Sequence, residues 1–128
     1  MSGEHFIIIG NGPAGNQAAS TLRDAAPDVP ITLISKDHEG SYRPNLLPEL
    51  IAGKIREEDL YVSGVNAYKE RDIKLRAGQR VAALDLEGKK VILDHKETLG
   101  YTGLILSVGG TPRIPEYLFA FQDRGRRA

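Results

Sequence analysis

Apolar residues along this chain fall in short, separated runs, and the kind of run changes partway. Residues 6–9 (FIII) are β-branched or aromatic throughout and stop at Gly10. A run without polar alternation suits a strand covered on both faces in a parallel sheet. Residues 13–26 switch to helical spacing, with a proline in the first turn and Ala14, Ala18, Leu22 and Ala25 as the expected inward face. The small alanines would let this helix lie close to the sheet. Pro27 and Pro30 end it, and ITLIS at 31–35 supplies a second β-branched run. Strand, helix and strand within about thirty residues make a βαβ unit, whose right-handed crossover sets the strands parallel and close together.

Residues 36–48 (KDHEGSYRPNLLP) are polar and interrupted by Pro44 and Pro48, so a long loop is expected, of the kind that is more often functional than idle. Short helices are expected over 49–61 and 66–72, joined by VSG. From Ile73 onward the pattern becomes short runs separated by Glu87-Gly88, His95-Lys96 and Gly100. The clearest hairpin is RVAALDLEGKKVIL at 80–93. The continuous apolar run at 103–108 returns to the buried parallel sheet. This reading gives one α/β domain over 1–115 and a tail, 116–128, that the pattern does not place.

Composition narrows the function classes. A chain of 128 residues buries roughly two thirds of the surface its unfolded form exposes, enough for a core without staples. It has no cysteine, which excludes disulfides, thiolate metal sites and cysteine nucleophiles from these residues. Lys plus Arg and Asp plus Glu both number 17, against the basic excess a nucleic-acid footprint needs, the DRGRRA end being a small local exception. No apolar run reaches the length of a signal or a bilayer span, so a soluble, cytoplasmic protein is expected. His5, His38 and His95 are far apart, show no metal spacing and are read as surface residues.

The chemistry lies in GNGPAG at 10–15, a G-x-G-x-x-G that follows a strand and opens a helix. A dinucleotide diphosphate must approach the backbone closely, and a side chain at Gly12 would occupy its space. Gly10 allows the tight exit from the strand, and Gly15 lets the helix pack on it. The first N–H groups of the helix, at the positive end of its dipole, face the phosphates. A carboxylate commonly ends the second strand of such units and binds the ribose hydroxyls. Here Ser35 stands there, followed by Lys36 and Asp37. Ser35 or Asp37 can hydrogen-bond a hydroxyl; alternatively Ser35 and Lys36 accommodate a 2′-phosphate, which would favour NADP.

IIIGNGPAG, YRPNLLPELIAG, IKLRAGQRVAALDLEGKKVIL and GYTGLILSVGGTPRIP, in that order, resemble the flavin-binding N-terminal part of the two-dinucleotide-domain flavoproteins, the pyridine nucleotide-disulfide oxidoreductase-like family. The resemblance extends to Pro115. It is nearest to rubredoxin and ferredoxin reductases and to the flavin part of NADH-dependent nitrite reductase. It implies a Rossmann-like three-layer FAD-binding domain of parallel sheet, helices and antiparallel β-meander, incomplete at its C-terminus, and it matches the meander to the change of pattern after Ile73. By resemblance, Gly10, Gly12, Pro13, Ala14 and Gly15 hold the FAD pyrophosphate, and Ser35 and Lys36 lie by the adenosine ribose. Arg43 and Pro44 approach the flavin, and the backbone of Val81 pairs with adenine. Ser107, Val108 and Gly109, in a segment running through 107–112, pass close to the cofactor. Tyr42 is a further candidate to flank the flavin.

The chain departs from the family at Ser35, where an acid is usual, and at Val108 and Thr111, where threonine and arginine are commoner. Without cysteine, electrons from a flavin would pass directly to an external acceptor, and no catalytic side chain is assigned. The NAD(P)H-binding second domain of the resembling enzymes is absent from these residues, so the chain alone is expected to be inactive. The implied reading is the FAD-binding domain of a pyridine-nucleotide-dependent oxidoreductase, with a small electron-acceptor protein as possible partner. Two rivals stand beside it: a non-catalytic NAD(P) or adenine-nucleotide binding module, and a truncated remnant with a structural role. In the last, a homo-oligomer or a second chain completes the sheet at its open edge.

Overall fold

Side chains of the first apolar run alternate between two cores. The strand β1 (Phe6–Ile9) sends Ile8 into a cluster with Ala19, Ile31, Leu33, Tyr68 and Ile73. It sends Ile7 and Ile9 the other way, against Ile34, Val91 and Leu93. Both cores need apolar side chains from β1, so the run carries no polar alternation. This computed structural model describes residues 3–38, 40–62, 64–111 and 113–116. Pro112 and residues 117–128, most of the expected tail, lie outside the described residues.

The central sheet is parallel. β2 (Ile31–Ile34) pairs with β1 on one side, Phe6 opposite Ile31, and β7 (Gly103–Leu106) pairs on the other, Phe6 opposite Gly103. β3 (Ile73–Arg76) extends the sheet beyond β2, giving the order β3-β2-β1-β7. Helices α1 (Pro13–Ala25) and α3 (Val65–Glu70) lie on the Ile8 face. The opposite face carries an antiparallel meander of β4 (Val81–Asp85), β5 (Lys90–Leu93) and β6 (Thr98–Gly100). The three-layer α/β architecture is therefore the one the pattern and the resemblance imply. No helix among the described residues is long and apolar enough to cross a membrane.

Several details differ from expectation. The buried face of α1 is Gly15 and Ala19, flanked by Ala18 and Leu22, while Ala14 and Ala25 are exposed. The stripe is rotated because the helix touches the sheet where it has least side chain. Pro44 and Pro48 do not keep their segment in a loop: a 3-10 turn (Pro44–Leu46) runs into α2 (Leu47–Ile51). Each proline sits in the first turn of its element, where its missing N–H is not needed. The expected helix over 49–61 breaks at Gly53, with φ +71°, and resumes as a 3-10 turn (Glu57–Leu60). The meander begins at Val81 and not at Ile73, since β3 is a parallel strand. β2 stops before Ser35 and β7 before Ser107, which leaves both residues at the carboxyl edge of the sheet.

Long-range polar contacts fasten the layers. The Arg23 guanidinium donates to the carbonyls of Ala26 (3.1 Å), Pro27 (2.8 Å), Val29 (2.9 Å), Arg71 (3.0 Å) and Asp72 (2.7 Å). It thereby ties the C-terminus of α1, where a cation is favoured, to the turn between α3 and β3. Arg76 on β3 meets Glu97, just ahead of β6, through two hydrogen bonds of 2.5 and 2.7 Å, a bidentate pair joining the sheets. His95 adds a 3.2 Å contact to the same carboxylate. These neighbours, Arg76 first, hold the Glu97 carboxyl down at about 2. His5 is half-buried and not a surface residue: its Nδ1 lies 2.8 Å from the Gly100 carbonyl and its Nε2 2.7 Å from Thr32 Oγ1.

Candidate functional site

Where β1, β2 and β7 end together, their carboxyl edge opens onto a cavity of about 560 Å³. Crevices at this edge are where open α/β sheets take ligands. One wall is the turn from β1 into α1, with Gly10, Asn11, Gly12 and Pro13; another is the loop after β2, with Ser35, Lys36, Asp37, Gly40, Tyr42 and Pro44. Gln79, Arg80, Val81 and Leu84 from the start of the meander line it, as do Leu106, Ser107, Val108 and Gly109 after β7.

Each glycine of the turn answers to a different neighbour. Gly10 has φ +102°, and a β-carbon there would meet the Ser107 carbonyl oxygen at 2.2 Å. A β-carbon on Gly15 would lie 1.8 Å from the Gly10 carbonyl oxygen and 2.6 Å from Ser107 Oγ. Gly12 has an ordinary extended backbone, φ −76° and ψ −170°, and a β-carbon there would meet nothing within 4 Å. Nothing in the described chain requires glycine at position 12. Gly12 is also the N-cap of α1, which has no side-chain cap and no acidic residue in its first turn. The amides of Ala14 and Gly15 thus start a helix with no intrahelical acceptor.

The loop after β2 is held from several sides. Ser35 is buried; its hydroxyl accepts the Asp37 N–H at 3.1 Å, and its backbone bonds to Arg76 and Gln79. Lys36 beside it is exposed on the cavity rim. Further along, Tyr42 pairs with Tyr61 as an isolated bridge, flanked by bonds from Arg43 N–H to Leu60 O (2.9 Å) and Val62 N–H to Ser41 O (2.8 Å). Tyr68, buried on α3, lies behind this loop and the turn: its hydroxyl is 3.0 Å from Asn11 Oδ1, 2.9 Å from Asn16 Oδ1 and 3.2 Å from Ser41 N.

The structure thus brings together Gly10, Gly12, Pro13, Ser35, Lys36, Pro44, Val81, Ser107, Val108 and Gly109 around one cavity. Ala14 and Gly15 follow in the first turn of α1, while the exposed Arg43 does not line the cavity. Val81 is half-buried and marks an irregularity in the β4–β5 ladder. Sequence reasoning missed Asn11, Gln79 and Arg80 as lining residues, and Tyr68 behind them. Asn11 alone had a signal, its place between the first two glycines.

Residues 4–122 match the model of the pyridine nucleotide-disulphide oxidoreductase family. The chain belongs to that family. Over 114 residues it is 35% identical to the ferredoxin–NAD(+) reductase component of an anthranilate 1,2-dioxygenase system from Burkholderia cepacia, a match covering 88% of this chain and 28% of the relative. It is 30% identical to nitrite reductase [NAD(P)H] from Bacillus subtilis, across 89% of this chain and 14% of that one. Among solved structures, the covalent putidaredoxin reductase–putidaredoxin complex superposes with a TM-score of 0.83 at 31% identity, covering 91% of this chain and 28% of the other. The chain spans about a quarter of the length of the ferredoxin reductases it matches, and less of the nitrite reductase.

Proposed function

We propose that this chain is the flavin-binding module of a pyridine-nucleotide-dependent flavoprotein oxidoreductase, holding the ADP half of FAD in the cavity at the carboxyl edge of its sheet. The observation that supports this reading is Gly12. Its neighbours Gly10 and Gly15 are dictated by contacts inside the chain, whereas Gly12 faces open space at an uncapped helix start. A diphosphate against that corner gives the missing side chain a purpose and the free amides of Ala14 and Gly15 an acceptor. The lining residues fit the rest of the group. In this reading Ser35 and Lys36, on one part of the cavity's lining, would meet the ribose, and the Val81 backbone would pair with adenine. Pro13 and Ala14 would join the glycines at the pyrophosphate, and Pro44, Ser107, Val108 and Gly109, also in the lining, would pass toward the flavin.

When bound, FAD would supply hydride and electron transfer; this chain's residues contribute position and electrostatics. An NAD(P)H donor and a small acceptor protein belong to the complete oxidoreductase, and these residues contain no second glycine turn for the donor. The absence of cysteine keeps any disulfide relay out of this module. The test is the visible spectrum of purified protein, followed by titration with FAD, NADH and NADPH. A yellow preparation, or flavin fluorescence quenched on addition and lost in Gly12→Val, supports the reading. Preference for NADPH that Lys36→Ala abolishes would replace it with an NAD(P)-binding module.

A further inference from the structure

Tyr68 lies outside the cavity, yet its hydroxyl touches two of the cavity's walls and the helix between them. It is 4% exposed, on α3, 52 and 57 positions along the chain from Asn16 and Asn11. Asn11 stands inside the glycine turn, and Asn16 follows the uncapped first turn of α1. Ser41, 1% exposed, belongs to the loop that lines the cavity at Gly40 and Tyr42. A phenol has one proton and accepts through its oxygen lone pairs. That one proton is shared between the Asn16 and Asn11 carboxamide oxygens, at 2.9 and 3.0 Å, and the phenol oxygen accepts the Ser41 N–H at 3.2 Å. The ring of Tyr68 packs in the core beside Ile8, Leu33 and Ile73, so the oxygen is held by the most rigid part of the fold.

We propose that Tyr68 is the positioning residue of the nucleotide site: its hydroxyl fixes the glycine turn, the start of α1 and the loop after β2 in the spacing that receives a diphosphate. The proposal rests on the flavin-module reading and adds to it a residue that touches no ligand. No side chain caps the helix that the turn at 10–12 opens; the Ser107 hydroxyl holds the Gly10 carbonyl at 2.9 Å on the β7 side, and the Asn11 carboxamide is the turn's link to the core on the α3 side. In Tyr68→Phe the ring packing survives, but two carboxamide oxygens and the Ser41 N–H lose their shared partner. The turn then has to be ordered by the ligand itself, which weakens binding of the phosphates; the adenosine end is unaffected, because Ser35, at the head of the loop, is held separately by backbone bonds to Arg76 and Gln79.

The experiment measures ADP and adenosine affinities on the 128-residue chain by calorimetry, or by competition against FAD, in wild type, Tyr68→Phe and Asn11→Ala. Loss of a buried hydrogen-bond hub predicts an ADP affinity lower by roughly tenfold in each variant with adenosine affinity unchanged. A third variant, Asn16→Ala, at a partner of the hydroxyl that does not line the cavity, leaves the core ring in place and carries the test with Asn11→Ala should Tyr68→Phe fail to fold. Equal losses for ADP and adenosine would make the hydroxyl a general structural brace and overturn the proposal, as would unchanged ADP affinity in the variants. Failure of wild type to bind ADP or FAD would instead remove the flavin reading, and the positioning role with it.

Discussion

The α-carbon of Gly15 lies so near the Gly10 carbonyl that a β-carbon on it would sit 1.8 Å from that oxygen. The first helix therefore rests on the end of β1 backbone to backbone. Neither side of the contact has a flexible side chain to move away. Gly15→Ala is expected to destabilise the fold by about 3 kcal/mol or more, because the helix must lift off the strand and disturb Ser107 as well. The urea unfolding midpoint checks it, and a midpoint equal to wild type would show that the contact yields cheaply.

Gly12 is expected to behave in the opposite way. With φ −76° and nothing within 4 Å of a built β-carbon, Gly12→Ala should keep stability within about 1 kcal/mol. FAD binding, followed by fluorescence quenching, should nevertheless weaken in Gly12→Ala and vanish in Gly12→Val. Undiminished FAD affinity in Gly12→Val would place the diphosphate elsewhere.

Acid should act on the clamp between the sheets. Arg76, and after it His95, hold the Glu97 carboxyl at about 2, below its ordinary 4.5. As pH falls, the unfolded chain takes up this proton first while the folded chain stays ionised. The contribution is complete above pH 4.5 and is lost progressively as pH drops toward 2. Glu97→Gln should remove that component of the acid dependence. The difference in unfolding midpoint between wild type and variant, measured above pH 4.5 and again near pH 2, should shrink; a constant difference would count against the clamp.

Arg23 gathers five backbone carbonyls from two chain segments. Replacing it with methionine keeps the stem and removes every donor, so a loss of about 2 kcal/mol or more is expected. Arg23→Lys should recover only part of it, since an ammonium has three donors on one atom and cannot span the fork. Full recovery in the lysine variant, by thermal unfolding, would mean that charge at the helix end is what matters.

The legible parts of this fold are those where a local pattern and the tertiary structure make the same demand. The run at 6–9 is unbroken because both cores draw on it, and the hairpin around Glu87-Gly88 is specified within its own few residues. The glycine turn was legible as a strand-to-helix corner because strand, turn and helix adjoin in sequence. Offsets arose where two local signals competed. Pro44 and Pro48 punctuate a polar segment and also suit first helical turns, and only contacts with the rest of the chain decide which role prevails. Arg23, His5 and Tyr68 were illegible because their partners are up to 49, 97 and 57 residues away, respectively. A single arginine or tyrosine looks the same in sequence whether it hangs in solvent or joins three segments.

The unequal needs of the three glycines bear on how copies of this module can diverge. Positions 10 and 15 are locked by the architecture, so any lineage that keeps the fold must keep them. Position 12 is free of that obligation among the described residues, and in the proposed flavin module it would answer to the guest molecule. A descendant that abandons its guest can mutate there at once while still folding, so bulky replacements at this one residue would identify retired copies.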